Sequence, residues 1–151
     1  MDPTDDLAMP FLLMSAFRNL VDAVHQGLAQ QGFPGIRAGH GFAMQAIGAG
    51  CTSVELGERL GVSKQAAAKT AQGLEQLGLI ERRVNEQDRR ERLLAPSARG
   101  REMLQLSAEG FRAEVGAWRA RLGDDAVDAA LTVLSVASRG GRAATDLSDW
   151  G

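Results

Sequence analysis

Residues 52–78 read TSVELGERLGVSKQAAAKTAQGLEQLG, and residues 79–96 continue as LIERRVNEQDRRERLLAP. Thr52 and Glu55 have the spacing of a capping box, in which hydroxyl and carboxylate each satisfy a free N–H at a helix start. A short helix carrying Leu56 and Leu60 is expected there, ended by Gly61. Ser63 suits the N-cap of a second helix over Lys64–Leu77, with Ala67, Thr70, Ala71, Leu74 and Leu77 on one side and Gly78 at its close. Two helices joined by Gly61-Val62-Ser63 make a helix-turn-helix pattern. From Leu79 the period shortens. Leu79–Val84 and Arg92–Ala95 suit two short strands, and Asn85-Glu86-Gln87-Asp88 begins the loop between them. A helix-turn-helix followed at once by such a hairpin is a winged helix.

The flanks are helical. Phe11, Met14, Phe17, Val21, Val24 and Leu28 recur every three or four residues, predicting a helix over residues 7–31 that Gly32 and Pro34 end. Leu12, Leu13, Ala16 and Leu20 widen its apolar face, so it calls for more than one packing partner. A second helix is expected over Arg37–Ile47, with Phe42, Met44 and Ile47 inward. Pro96 and Ser97 start a long helix whose apolar residues are Leu104, Phe111, Val115, Trp118 and Leu122. After a turn at Gly123-Asp124, a last helix carries Val127, Leu131 and Leu134. The fold class is mainly α with a small β-hairpin wing. Residues 1–35 and 97–140 are expected to form a helical region for which an oligomer interface is one candidate partner, residues 36–96 a winged helix-turn-helix domain, and residues 141–151, Trp150 included, a flexible tail.

Composition narrows the function classes. The chain has 151 residues, 17 basic and 19 acidic, for a formal charge of −2. That excludes a polybasic protein but not a local basic surface, because potential depends on placement. Only Lys64 and Lys69 are lysines; the remaining 15 basic residues are arginines, whose rigid donor forks suit phosphates, carboxylates and base edges. Cys51 is the one cysteine and His25 and His40 are the only histidines, which leaves no disulfide and no metal centre of recognisable composition. No run approaches the roughly 18–20 apolar residues of a membrane span, and Asp2, Asp5 and Asp6 before Leu7–Met14 are wrong for a secretory signal. A soluble cytoplasmic protein without a membrane partner is expected. No phosphate-cradling glycine loop, nucleophile elbow or spaced His–carboxylate pair is present, so neither an enzyme nor a bound cofactor is expected.

Several runs together resemble a known family. Ser63-Lys64-Gln65-Ala66 and Leu74-Glu75-Gln76-Leu77-Gly78-Leu79-Ile80-Glu81-Arg82 are similar to segments of the MarR family of bacterial transcriptional regulators. Asn85-Glu86-Gln87-Asp88-Arg89-Arg90 resembles that family's Asp-x-Arg wing signature. Ser97-Ala98-Arg99-Gly100-Arg101 resembles the entry to its fifth helix, and Ile36-Arg37-Ala38-Gly39-His40-Gly41-Phe42 its second helix. The matches run in order over residues 36–104. The chain departs from the family's pattern at Ala67, Thr70 and Ala71, where larger apolar residues are common. The resemblance implies a homodimer held by the first, fifth and last helices, binding double-stranded DNA at a pseudo-palindromic operator, most simply as a repressor. It also implies release by a small-molecule effector held between the lobes.

On this reading the outer face of the recognition helix is Lys64, Gln65, Ala68, Lys69 and Gln72. Gln pairs with adenine and Lys with guanine in a major groove, and Ser63 with the free N–H groups at the helix start suits a phosphate. An ordinary solvated face is the competing reading. In the wing, Asp88 is expected to pair with Arg90 and aim it into a narrow minor groove. Arg89 and Arg92 are expected at phosphates or paired with Glu91, and a hairpin with purely internal ion pairs is the plain alternative. His40 is the candidate effector contact, against a structural role in its helix. Cys51 raises a redox-responsive regulator as an alternative function, against a small residue filling the turn. A winged-helix module that binds protein is the other.

Overall fold

A computed structural model describes residues 1–142 and 144–146. The elements are a 3-10 turn at Asp6–Ala8, α1 (Met9–Gln30), α2 (Ala38–Ile47), α3 (Ser53–Leu60), α4 (Lys64–Gln76), β1 (Ile80–Val84), β2 (Arg92–Pro96), α5 (Ala98–Leu122) and α6 (Asp124–Ala137). The chain is mainly helical with a two-stranded antiparallel wing, the fold class expected from the sequence. It divides into two compact units. One comprises Met1–Gly35 with Leu106–Ala137, the other Ile36–Gln105 with the described residues from Ser138 onward.

In the first unit, α1 buries Val21, Val24 and Leu28. Gly110 of α5 lies against Val24, where a Cβ would stand 3.2 Å from Val24 Cγ1, so the missing side chain lets α5 approach α1 closely. Arg119 near the end of α5 reaches Asp124 at 3.2 Å and Asp128 at 2.8 Å, tying α5 to the start of α6. The N-terminal half of α1 exposes Phe11 and Met14 together with Leu7, Met9, Leu12 and Leu13, part of the broad apolar face whose sequence called for more than one packing partner. The helical stretch Asp6–Gln30 is also long and apolar enough, by length and composition, to cross a membrane. This corrects the expectation that no segment reaches that length. Arg18, Asn19, Asp22 and Gln26 run along its exposed polar side.

The second unit is built around the helix-turn-helix. The capping box forms as expected: Thr52 Oγ1 accepts from the Glu55 N–H at 3.2 Å, and Glu55 Oε1 from the Thr52 N–H at 3.1 Å. These bonds, with Arg59 nearby, hold the Glu55 carboxyl below its ordinary range. Arg59 also donates to the Ala46 carbonyl at 2.7 Å, fixing the end of α2 against α3. Gly61 takes the left-handed conformation (φ 65°) that ends α3, and Ser63 Oγ accepts from the Ala66 N–H to start α4. Leu56, Leu60, Ala67, Ala71 and Leu74 are buried between the two helices and their neighbours. The small residue at 67 has a packing reason. A Cβ on Gly57 would lie 3.5 Å from Ala67 Cβ, so α3 and α4 meet at a separation that larger side chains would not permit.

The wing pairs Ile80 with Pro96, Arg82 with Leu94 and Val84 with Arg92. Cys51 adds a bridge that the sequence did not suggest: its N–H donates to Leu94 O at 3.0 Å and its carbonyl accepts from Leu94 N at 2.7 Å. The segment before α3 thus extends the sheet at one residue. At the far side, Ser97 locks the wing to α5. Its N–H donates to Leu79 O at 3.0 Å, its hydroxyl donates to Gly78 O at 2.5 Å, and its Oγ accepts from the Gly100 N–H at 3.0 Å. Of the segment expected to be a flexible tail, Ala143 and residues 147–151 (Trp150 among them) lie outside the described residues. Thr145 donates to the Arg59 carbonyl at 3.3 Å, and the Asp146 carboxylate rests against Gly61.

Candidate nucleic-acid interface

The residues read as a recognition face fall on one side of α4. Ala67, Ala71 and Leu74 point into the core, which leaves Lys64, Gln65, Ala68, Lys69 and Gln72 exposed. Ser63 is exposed at the N-terminus, where the first N–H groups of a helix lack intrahelical acceptors. Gln65, Ala68, Lys69 and Gln72 line one open groove, and the structure adds Glu75, Gln76 and Arg82 to it. Glu75 and Gln76 continue the same helical spacing one turn further and were within reach of the period alone. Arg82 was not: it comes from β1 and meets Glu75 only because the chain reverses at Gly78. Its Nε lies 2.5 Å from Glu75 Oε1.

The wing loop is shaped by two short polar side chains. Asn85 Oδ1 accepts from the Gln87 N–H, and Asp88 Oδ1 accepts from the Arg90 N–H, both at 3.0 Å, giving successive Asx turns. The same Asp88 oxygen lies 3.5 Å from Arg90 Nε. The Asp88–Arg90 pairing is therefore present, and it leaves the Arg90 side chain 94% exposed. Arg89 pairs with Glu86 at 3.3 Å, not with Glu91, because the turn at Asp88 folds the loop back toward its first strand. Arg83 is engaged with Glu81 at 2.6 Å, and Arg92 is exposed on β2. Exposed pairs of this kind are worth about 0–1 kcal/mol, so the guanidinium groups are held in place yet readily exchanged for a phosphate.

The other singled-out residues have structural surroundings. His40 Nδ1 accepts from the Arg37 N–H at 3.0 Å and so helps to cap α2. Cys51 is 1% exposed, and burial pushes its thiol up from the ordinary range, away from the reactive thiolate. His25, half-buried on α1, is pushed down by desolvation, with Asp22 opposing. Among the described residues no group of three His, Cys, Asp or Glu side chains could hold a metal ion.

An exposed recognition helix beside an arginine-tipped wing defines a winged helix-turn-helix protein, a class that reads duplex DNA. Residues 43–91, about a third of the chain, match the sequence profile of the MarR family. No curated protein matches it. Solved structures share its fold at low identity. RV1404 from Mycobacterium tuberculosis superposes with a TM-score of 0.75 at 21% identity, over 93% of this chain and 97% of its own. FabT from Streptococcus pneumoniae, in complex with DNA, gives 0.72 at 23% identity over 87% and 93%. CouR from Rhodococcus jostii RHA1, bound to p-coumaroyl-CoA, gives 0.63 at 21% over 91% and 95%. The chain thus has the fold of MarR-family transcription regulators.

Proposed function

We propose that this chain is a sequence-specific, non-catalytic DNA-binding regulator, acting inside the cell as a homodimeric repressor on a pseudo-palindromic operator. The observation that carries the reading is the recognition face itself: Gln65, Lys69 and Gln72 on successive turns of α4, with Ser63 at its start and a nearly fully exposed Arg90 on the wing beside it. The DNA complex of the similarly folded FabT supports it. Gln65 and Lys69 would read base edges in the major groove, Ser63 and Lys64 would meet phosphates, and Arg90 would enter the minor groove. Ala68 would permit the close approach that a larger residue prevents.

Dimerisation accounts for apolar surface that a lone chain leaves in water. Between the end of α5 and α6, Trp118, Leu122, Ala130, Leu131 and Leu134 line an apolar groove. The exposed start of α1 is equally apolar. Association of these helices with a second copy buries both, without recourse to a membrane. Sedimentation equilibrium should return twice the chain mass of 16.0 kDa. Leu131→Glu combined with Leu134→Glu should give a folded monomer with operator affinity lower by at least tenfold, since each half-site is then bound alone. A wild-type monomer that binds DNA tightly would refute the dimer.

Selection of bound duplexes from a random pool tests the central claim: enrichment of an inverted repeat is expected, and no enrichment refutes it. Gln65→Ala should then relax preference at one base pair of each half-site by about 1–3 kcal/mol. Equal weakening on all duplexes would make Gln65 a positioning contact only. Release by a small-molecule effector is the final element, supported by the ligand-bound CouR. An effector acts only through different affinities for the two spacings of the recognition helices. His40→Ala should alter effector response while leaving operator affinity in its absence within a fewfold.

A further inference from the structure

The recognition groove contains one carboxylate, Glu75, and one wing guanidinium, Arg82, and each occupies the other. Arg82 is not a loose surface residue. Its backbone is registered opposite the buried Leu94, and the turn at Gly78 (φ 73°) brings β1 back along α4. The two groups meet at 2.5 Å, closer than any of the wing's other ion pairs, and both side chains remain about one-third exposed on the groove. Alone, Arg82 would offer any duplex a phosphate contact regardless of sequence. Alone, Glu75 would repel every phosphate entering that end of the groove. Paired, they present almost no net charge there, and a phosphate that draws Arg82 away uncovers the Glu75 carboxylate.

We propose that the Glu75–Arg82 pair limits sequence-independent affinity by withholding Arg82 from the DNA backbone, while base reading by Gln65, Lys69 and Gln72 is untouched. The inference rests on the reading of this face as DNA-binding. It differs from cytosine recognition by the carboxylate, which would make Glu75 a base reader.

The test measures the salt dependence of binding to the selected operator and to a scrambled duplex of equal length. Glu75→Gln keeps the side-chain shape and removes the charge. It should raise affinity for both duplexes about three- to tenfold at low salt, and steepen the log–log salt slope by about 0.9 per protomer, the value for one added phosphate contact. Specificity, as the ratio of the two affinities, should stay unchanged, because a phosphate contact adds equally to both. Arg82→Gln should weaken binding to both duplexes, and the double variant Glu75→Gln with Arg82→Gln should return close to wild type. A Glu75→Gln protein whose slope equals that of wild type overturns the proposal. So does a gain that survives in the Arg82→Gln background, since Arg82 was then not the group released. Selective loss on the operator with altered base preference overturns it in favour of base reading. Wild-type protein that enriches no duplex removes the DNA-binding reading itself, and this inference with it.

Discussion

Arg90→Ala is expected to weaken operator binding about a hundredfold without changing the dimer or the thermal midpoint. The magnitude follows from two wings per operator, each losing about 1.4 kcal/mol, which is a factor of ten. The geometry makes Arg90 the wing residue with most to give. Asp88 Oδ1 accepts its N–H and lies 3.5 Å from its Nε, so backbone and guanidinium are steered by one carboxylate. Nothing covers the rest of the side chain, which is 94% exposed. The cost of ordering it on DNA is partly met in the free protein, and no buried contact is lost when it is truncated. Arg90→Lys should not rescue, because a strongly hydrated ammonium enters a narrow minor groove less readily than a guanidinium. Arg89→Ala, with its side chain already paired to Glu86, should cost less than tenfold. Gel-shift titration against the selected operator decides it: unchanged affinity for Arg90→Ala removes the wing from the interface.

What was legible in the sequence was whatever depends on neighbours along the chain. The capping box at Thr52 and Glu55, the stop at Gly61, the cap at Ser63 and the helical period through Ala67, Ala71 and Leu74 all involve residues a few positions apart, and all form as read. The Asp88–Arg90 pair is local in the same sense. The misses are contacts between different elements that only the folded chain brings together. Cys51 bridges Leu94, Arg82 meets Glu75 across a chain reversal, and Thr145 reaches Arg59. No period encodes these. The start of α1 shows a different limit: its spacing correctly gave a helix, but periodicity gives a face and not the partner of that face. Phe11 and Met14 lie on an apolar side that this chain alone leaves exposed.

The formal charge of −2 is similarly uninformative until the arginines are placed. Of five arginines in residues 82–92, Arg82, Arg83, Arg89 and Arg90 each lie against a carboxylate. The wing therefore carries little free positive charge in the unbound protein. Binding must exchange these pairs for phosphates and base edges, so a large share of the affinity has to come from correctly placed donors and not from bulk attraction.

The largest stability effect should come from the smallest change, Gly100→Ala in the first turn of α5. One Cα hydrogen of Gly100 faces the Leu79 carbonyl oxygen, and a Cβ in that position would overlap the oxygen outright. The obstacle is backbone and cannot swing aside as a flexible side chain would. The same carbonyl accepts the Ser97 N–H, and Ser97 Oγ caps the Gly100 N–H, so moving Leu79 also strains the junction between wing and α5. Met44 Cε, a flexible tip, is the next nearest neighbour and can give way. Overpacking of this kind costs about 1–3 kcal/mol, and the backbone obstacle puts Gly100→Ala at the upper end. At 2–4 °C per kcal/mol for a chain of this size, the thermal midpoint should fall by roughly 6–12 °C. Gly73→Ala supplies the contrast within the same unit. It is the same substitution inside α4, where a Cβ meets no atom within 4 Å, and helix propensity alone predicts a gain of up to about 1 kcal/mol. Scanning calorimetry of the two variants separates the causes. If both shift the midpoint in the same direction, the close approach of Gly100 to Leu79 does not govern the junction.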